Sequence, residues 1–304
     1  MTHALLYVVT VLIWGTTWLA IKMQLGVVHP AASIIYRFLL AAVLLFGWVV
    51  VRGLPLRFKP RDHVFMVLTG MFMFSTNFLC FYLASSYLTS GLVAVIFSMS
   101  VVFNLINGRL FFRRRVAPSV VVGAVCGLMG MVLVFWHELV RFNLDNGSGK
   151  GIALSLLGTL LFSLGNMAAA RNSAAGLPTP STTAFGMAYG SLWLTLLALV
   201  QGIDLSFDVS AKYMGSLLYL ALFGSVVAFV CYLSLVGRIG AERAAYATVL
   251  FPMLALGLST VFEGFVWTPQ ALLGVLLALV GNAIVLTKPE RLGKWLRPRG
   301  ATQA

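Results

Sequence analysis

Amide and hydroxyl side chains occur deep inside long apolar stretches of this chain, where each needs a hydrogen-bonding partner. Ser100, Asn104 and Asn107 are spaced i, i+4 and i+7, so a helix presents all three on one face. Such a face either bonds to neighbouring helices or lines a cavity that binds a polar solute. The same two roles, packing or contact with a substrate, are open to Asn77, Tyr82, Asn166, Tyr232 and Tyr246.

The first apolar stretch carries Trp14, Trp18 and Lys22 at intervals of four residues, which places two indoles and an ammonium on one helix face. The pattern favours Trp18 and Lys22 as anchors at the membrane surface. Trp14 lies deeper than such anchors. Its indole serves either as core packing or as a cavity wall that stacks on an apolar or aromatic group of a substrate.

Arg37 lies six residues inside the second apolar stretch, at a depth where a guanidinium must be paired. Its partner is either helix-end carbonyls, Glu263 across the same leaflet, or the carboxylate of a substrate. Glu263 is then a residue that neutralises a neighbouring base. Pro252 removes the backbone hydrogen bond to the carbonyl of Thr248 and predicts a kink, which acts as a hinge, a polar contact or packing.

The composition identifies an integral membrane protein, since 60% of residues are hydrophobic and 10% are charged, against roughly 25% charged in soluble domains. The apolar runs are continuous, which favours helices over barrel strands. Ten of them are long enough to cross about 30 Å of hydrocarbon. They are Ala4 to Gln24, Ala31 to Val51, His63 to Ala84, Tyr87 to Phe112, Val116 to Trp136, Gly151 to Ala170, Pro180 to Gln201, Tyr213 to Leu233, Ala244 to Phe265 and Pro269 to Thr287.

The second half of the chain repeats the first at an offset of 151 residues, and the clearest matches are Pro118 with Pro269, Gly123 with Gly274 and Gly130 with Gly281. With five spans in each copy, the second copy lies upside down in the membrane. We therefore predict an all-α fold of ten transmembrane helices in two inverted five-helix repeats. The predicted units are residues 1–142, a connecting loop at 143–150, residues 151–287 and a basic cytoplasmic tail at 288–304.

The positive charges predict the orientation. If the N-terminus is cytoplasmic, all 21 Lys and Arg residues fall on the cytoplasmic side except Lys22, Arg37, Arg141, Lys150 and Lys212. We expect both termini in the cytoplasm and the chain in the bacterial inner membrane. The net charge of +13 then reflects loop bias and attraction to anionic lipid headgroups, and we expect no nucleic-acid partner.

Enzymatic chemistry has little support in the sequence. The four histidines lie at or near the ends of the apolar stretches, no acidic pair lies at membrane depth, and no phosphate-binding loop is present. We expect no cofactor and no metal, and Cys80, Cys126 and Cys231 lie in apolar stretches that suit packing. A membrane-embedded enzyme and a membrane scaffold remain the alternatives from other functional classes.

Several motifs resemble the EamA branch of the drug/metabolite transporter superfamily. They are Trp14-Gly15, Lys22, Arg37-Phe38, and the two repeat ends from Leu110 through Gly123 and from Phe262 through Gly274. The resemblance implies ten helices around a central cavity and export of small metabolites such as amino acids; a drug or other metabolite exporter with proton coupling is the alternative. The sequence departs from the family pattern at Val101 and Arg114, where Pro and Glu are common.

Two further expectations concern coupling and assembly. The first span has no Asp or Glu, so facilitated diffusion is a simpler hypothesis than proton exchange at a buried carboxylate. The glycines at 123, 127 and 130 and at 186 and 190 permit close helix approach, either within one chain or in a homodimer.

The charge distribution yields a direct test of topology. Reporters fused to the N- and C-termini should respond as cytoplasmic, and a reporter inserted at residues 143–150 should respond as external. An external C-terminal reporter with a cytoplasmic N-terminal reporter would contradict the even number of spans, and two external terminal reporters would contradict the orientation.

Overall fold

The computed structural model describes residues 2–26, 28–88, 90–113, 118–134, 136, 140, 147–262 and 267–286. Within these residues the chain is a bundle of ten transmembrane helices, α1 to α10, in two inverted five-helix repeats, as predicted. The first repeat contains α1 (His3–Lys22), α2 (Pro30–Val51), α3 (Pro60–Met73 and Thr76–Ala84), α4 (Ser90–Ser98 and Ser100–Phe112) and α5 (Pro118–Val134). The second contains α6 (Ser148–Ala174), α7 (Thr179–Val200), α8 (Ala211–Tyr219, Leu220–Val227 and Ala228–Ile239), α9 (Ala241–Ala244 and Ala247–Phe262) and α10 (Pro269–Leu286).

Length and composition explain why these segments span the membrane. Seven of the described helices have 20 to 29 residues and are apolar enough to cross it, and Pro118–Val134 and Pro269–Gly281 are shorter apolar helices. A helix satisfies its backbone groups internally, which hydrocarbon requires. At their starts, where N–H groups lack intrahelical partners, Pro30 begins α2, and the Thr2 and Ser210 side chains accept hydrogen bonds from the N–H groups of Leu5 and Tyr213.

The repeated glycines bring α5 and α10 into backbone contact. A Cβ atom added to Gly130 would lie 2.5 Å from the carbonyl oxygen of Gly274, and one added to Gly281 would lie 2.6 Å from that of Gly123. Residue 123 faces 281 while 130 faces 274, so the two helices run antiparallel. The offset of 151 residues relates the two contacts, because it carries Gly130 onto Gly281 and Gly123 onto Gly274. Such paired contacts are expected of inverted copies.

The other helix contacts are also equivalent between the two repeats. α1 packs against α8 and α9, while α6, its counterpart, packs against α3 and α4. α2 packs against α7, and a close contact between Gly70 and Gly190 joins α3 to α7. The glycines at 186 and 190 therefore serve packing inside this chain.

Two helices are irregular at equivalent positions of the two repeats. α3 breaks at Phe74 and Ser75, where Ser75 has φ −142° and ψ −81° and its hydroxyl donates to the carbonyls of Gly70 and Met71. In α8, Leu220–Val227 forms a π-helix. The offset of 151 residues carries Phe74 onto Ser225, inside that π-helix, so both repeats have irregular backbone at the same depth.

The two ends of the bundle differ in charge. We call the end that holds the starts of α1 and α3 the basic end; it also holds Arg52, Arg109, Arg171 and Arg238. There the first repeat is tied to the second, because the Arg171 guanidinium on α6 lies 2.7 Å from the Asp62 carboxylate on α3. The opposite end holds the end of α1 and the start of α2.

The close approach of α5 and α10 predicts a stability effect. Gly130→Ala should force the two backbones apart and destabilise the protein by about 1–3 kcal/mol, the usual effect of overpacking. The thermal unfolding midpoint of the purified protein measures this change. Gly47→Ala on α2 is the matched control, since a Cβ there meets nothing within 4 Å, and it should leave the midpoint unchanged or raised. Equal midpoints for the two variants would contradict the contact.

Candidate functional site

A small cavity of about 40 Å³ lies between the two repeats. Side chains from α1, α2, α3, α4, α6 and α8 line it: Trp14, Thr17, Trp18, Ile21, Arg37, Asn77, Phe78, Phe81, Phe97, Phe162 and Phe229. The volume admits a few water molecules and is well below the roughly 300–1,000 Å³ of typical ligand sites. In this structure the cavity is therefore too small for a typical ligand.

Aromatic rings form most of the cavity wall. The Trp14 ring lies 5.0 Å from that of Phe229 and 4.8 Å from that of Tyr232, and the Trp18 ring lies 5.8 Å from that of Phe81. The sequence left two roles open for Trp14, core packing and cavity lining, and in the structure its side chain has both.

The expectation that Trp18 anchors the chain at the membrane surface is wrong, because its side chain is 7% exposed and faces the cavity. α1 packs against α8 and α9, which turns this helix face inward. Lys22, one turn further on, lies exposed at the end of the helix.

Arg37 is 1% exposed and reaches the cavity from α2. Its Nε donates a 2.9 Å hydrogen bond to the Ser225 hydroxyl in the π-helix, and its Cζ lies 4.7 Å from the centre of the Phe78 ring. Nη1 has no hydrogen-bond partner, and no carboxylate in the described part of the chain pairs with the guanidinium. Glu263, the partner considered from the sequence, lies outside the described residues.

Asn77 brings a second unused polar group to the same cavity. Its side chain is 1% exposed, and neither Oδ1 nor Nδ2 has a partner among the described residues. The residue lies in the first turn after the break in α3. Leaving buried polar groups unpaired costs about 1–3 kcal/mol each, and more for charged groups, so both side chains mark the cavity as a place for a polar ligand.

The π-helix of α8 shapes the opposite wall. The Trp14 indole N–H donates to the carbonyl of Gly224 at 3.4 Å, next to the Ser225 hydroxyl that accepts from Arg37. A Cβ on Gly224 would lie 2.9 Å from Cγ2 of Thr17 and 3.4 Å from Nη2 of Arg37. A glycine is therefore needed for the approach of α1 and α2 to α8.

A buried polar network joins α4, α6 and α8 beside the cavity. Asn104 Oδ1 accepts from the Ser163 hydroxyl at 2.9 Å and from Asn166 Nδ2 at 3.3 Å, and Asn107 Nδ2 donates to Ser163 at 2.9 Å. Asn166 Nδ2 also donates to the Tyr232 hydroxyl at 3.0 Å. Two atoms of the network, Nδ2 of Asn104 and Oδ1 of Asn166, have no partner within the described residues. In that part of the chain, the network therefore joins helices and also keeps one donor and one acceptor unused.

Three other predicted site residues, Tyr82, Ser100 and Tyr246, are not in the cavity lining, although the Tyr82 hydroxyl lies beside the Arg37 guanidinium. The Tyr82 hydroxyl donates to Gln24 Oε1 at 2.7 Å, and the Ser100 hydroxyl lies 2.8 Å from that of Thr248. The Tyr246 hydroxyl donates to a backbone carbonyl of α5. These three side chains join helices to one another. Pro252 lies in the helix Ala247–Phe262, and its side chain is outside the described part.

A wider cleft of about 360 Å³ opens at the basic end, between the end of α6 and the junction of α8 with α9. The charged residues described in its lining are Arg238 and Arg243. Ala170 and Val236 also line it, and each is one helical turn from a member of the polar network, Asn166 and Tyr232. The network therefore lies between the cleft and the cavity.

Phe78, Phe81 and Phe229 escaped the sequence reasoning, which had named Tyr232. The offset of 151 residues pairs Phe78 with Phe229 and Phe81 with Tyr232, and all four lie at the cavity or beside it. Reading the repeat for aromatic residues would have found the three phenylalanines. Gly224 and Ser225 carry no comparable signal, because the π-helix that positions them is not visible in the residue pattern.

The fold and the cavity agree with the family to which the chain belongs. A sequence model of the EamA-like transporter family matches residues 1–136 and 149–287, one stretch in each half. Since this covers most of the chain, the protein is a member of the EamA-like transporter family of the drug/metabolite transporter superfamily.

Some related proteins match nearly the whole chain, and their names either describe a transporter or state no function. Protein PagO of Salmonella typhimurium is 24% identical over 93% of this chain and 92% of its own length. An uncharacterized inner membrane transporter of Escherichia coli K12, YedA, is 27% identical over 94% of this chain and 90% of its own. A crystal structure with 17% identity superposes with a TM-score of 0.74 over 93% of this chain and 96% of the other, which supports the fold.

The crowding around Gly224 predicts a functional effect. Gly224→Ala should displace Thr17 or Arg37 and lower transport by about tenfold, because small shifts of binding groups are costly. Gly215→Ala in the same helix is the control, since a Cβ there meets nothing within 4 Å. Flux is measured in liposomes at equal amounts of folded protein; unchanged flux in Gly224→Ala would show that this wall does not shape the site.

Proposed function

We propose that the protein is a secondary transporter that exports small metabolites, amino acids or similar amphiphilic solutes, by alternating access. The observation that carries the proposal is the cavity between inverted repeats, where a guanidinium and a carboxamide lie buried without full hydrogen bonding. A site of this kind at a repeat interface is typical of secondary transporters. Membership of the EamA-like transporter family supports it.

The contracted cavity represents an occluded state in this mechanism. To admit a substrate, the two repeats rock apart and widen the space between the aromatic rings. The break in α3 and the π-helix in α8 are equivalent points in the repeats, and each is suited to let one half-helix move relative to the other. Their equivalence provides matching hinges for opening toward either side of the membrane.

The orientation follows from the basic end. We place it in the cytoplasm of a bacterium, with both termini, because cytoplasmic loops carry the excess of Lys and Arg. The cleft at Arg238 and Arg243 is then the cytoplasmic entrance. A substrate passes from the cleft along the polar network of Asn166 and Tyr232 to the cavity.

The energy source is the solute gradient itself. Of the described residues that line the cavity, none is acidic, so proton exchange at a carboxylate has no group there on which to act. Facilitated diffusion by rocking of the two halves is consistent with this lining. Coupling through Glu263 is the competing mechanism.

Reconstitution of the purified chain in liposomes tests this function. We expect amino-acid efflux down a gradient, lowered by about fivefold or more in Trp14→Phe, Asn77→Ala and Asn104→Ala, because each loses a polar group at or beside the cavity. Folded protein is measured in parallel by size-exclusion chromatography. Arg57→Ala, an exposed loop change, should keep wild-type flux.

Three results would contradict the proposal in different ways. No flux of any solute from a panel of amino acids and cationic drugs would favour a scaffold. Wild-type flux in all three cavity variants would reject this site. Concentrative transport driven by an imposed pH gradient and abolished by Glu263→Gln would reject facilitated diffusion and identify Glu263 as the coupling residue.

A further inference from the structure

We infer that the substrate of this cavity is recognised by a carboxylate, which Arg37 and Asn77 bind, and that an amino group on the substrate is not needed. The inference rests on the proposed function and defines its substrate class: small organic acids with a compact apolar or aromatic body. Zwitterionic amino acids satisfy this requirement, and so do acids without an amino group. Amines without a carboxylate do not.

The cavity contains a buried positive charge on Arg37. Arg37 remains protonated at any physiological pH, and it is 1% exposed. Its contacts include the hydroxyls of Ser225 and Tyr82 and the faces of the Phe38 and Phe78 rings. None of these neutralises the charge, and no described residue of the lining is acidic. The cavity is therefore positive and favours an anionic ligand.

The cavity also contains hydrogen-bond donors that have no acceptor among the described residues. Nη1 of Arg37 and Nδ2 of Asn77 are both buried without partners in the described structure, and both side chains line one cavity. A carboxylate has two oxygens with lone pairs in its plane and accepts from a guanidinium with particular strength. One bound carboxylate would satisfy the guanidinium and the amide together. Asn77 also lies in the first turn of a helix segment, whose N-terminal dipole favours negative charge.

The walls specify the rest of the ligand. Trp14, Trp18 and Phe97 present rings around the polar groups, which suits an apolar or aromatic body. A cation could bind the same rings, but Arg37 already lies over Phe78 at 4.7 Å and would repel it. The geometry thus rejects amines by charge while it accepts acids.

Basic residues also line the cleft at the basic end. The charged residues described there are Arg238 and Arg243, both exposed to solvent. Positive charge at an entrance concentrates anions before they reach the interior. The entrance and the cavity therefore select the same class of solute.

Three matched probes test the inference: phenylacetate, phenylacetamide and phenethylamine, which share a phenyl ring and differ in the polar group. Binding to the full-length protein in nanodiscs is measured by calorimetry near neutral pH. We expect phenylacetate to bind at least about tenfold more tightly than phenylacetamide, as loss of a charged hydrogen-bond partner implies. Phenethylamine should not compete with phenylacetate.

Variants assign the preference to Arg37. In Arg37→Gln the ratio of phenylacetate to phenylacetamide affinity should fall to about one, and Arg37→Lys should retain part of it, because the charge remains and the planar fork is lost. Arg52→Gln is the control, since Arg52 follows the last residue of the same helix; it is exposed beside Trp48, and its loss should leave the ratio unchanged. If Arg37→Gln does not fold, the wild-type ratio still decides.

The outcomes separate this inference from the proposed function. Equal affinity for acid and amide, tighter binding of the amine, or no binding of phenylacetate would overturn the carboxylate site, while solute flux in liposomes would still support a transporter. A clear preference for the acid that survives Arg37→Gln would also overturn it. Selective binding of phenylacetate without flux of any solute would support the site and reject the transport function.

Discussion

A bilayer supplies no hydrogen-bond partners, and this constraint governs the arrangement of polar groups in the bundle. Most of them are satisfied inside the protein: the hydroxyls of Thr10 and Thr17 bond to carbonyls of their own helix, and Ser75 covers two carbonyls at the break in α3. Arg37 and Asn77 depart from this pattern at one cavity. Their incomplete hydrogen bonding is costly in an interior of low dielectric. A ligand that bonds to these groups would remove that cost.

The duplicated scaffold and the site it holds have different symmetry. The antiparallel contact of α5 with α10 and the irregular positions in α3 and α8 obey the exchange of the two repeats. The chemistry does not, because the offset of 151 residues carries Trp14, Arg37 and Asn77 onto Gly165, Ala188 and Ala228. The first repeat thus supplies the indole, the guanidinium and the carboxamide of the candidate site. The other supplies small residues and aromatic walls that allow the helices to approach.

Aromatic packing links the cavity to helices of both repeats. Trp14 touches rings of α6 and α8, and Trp18 touches rings of α3 and α4, so α1 contacts both repeats through two indoles. Ring contacts are mostly edge to face, a geometry that aromatic pairs prefer, and they bury apolar area. The aromatic wall of the cavity therefore joins the two repeats.

The sequence by itself determined the helical membrane fold, the inverted duplication and the family, because hydropathy, charge bias and a fixed glycine spacing are all local signals that one chain displays. It also indicated Trp14, Asn77 and Arg37 as unusual residues at membrane depth. Only the tertiary structure decided that these three line one cavity, that Trp18 faces inward, and that Tyr82, Ser100 and Tyr246 join helices elsewhere. The reason is geometric: which face of a helix meets a neighbour depends on packing between segments distant in sequence, and the π-helix that places Gly224 and Ser225 has no local signature.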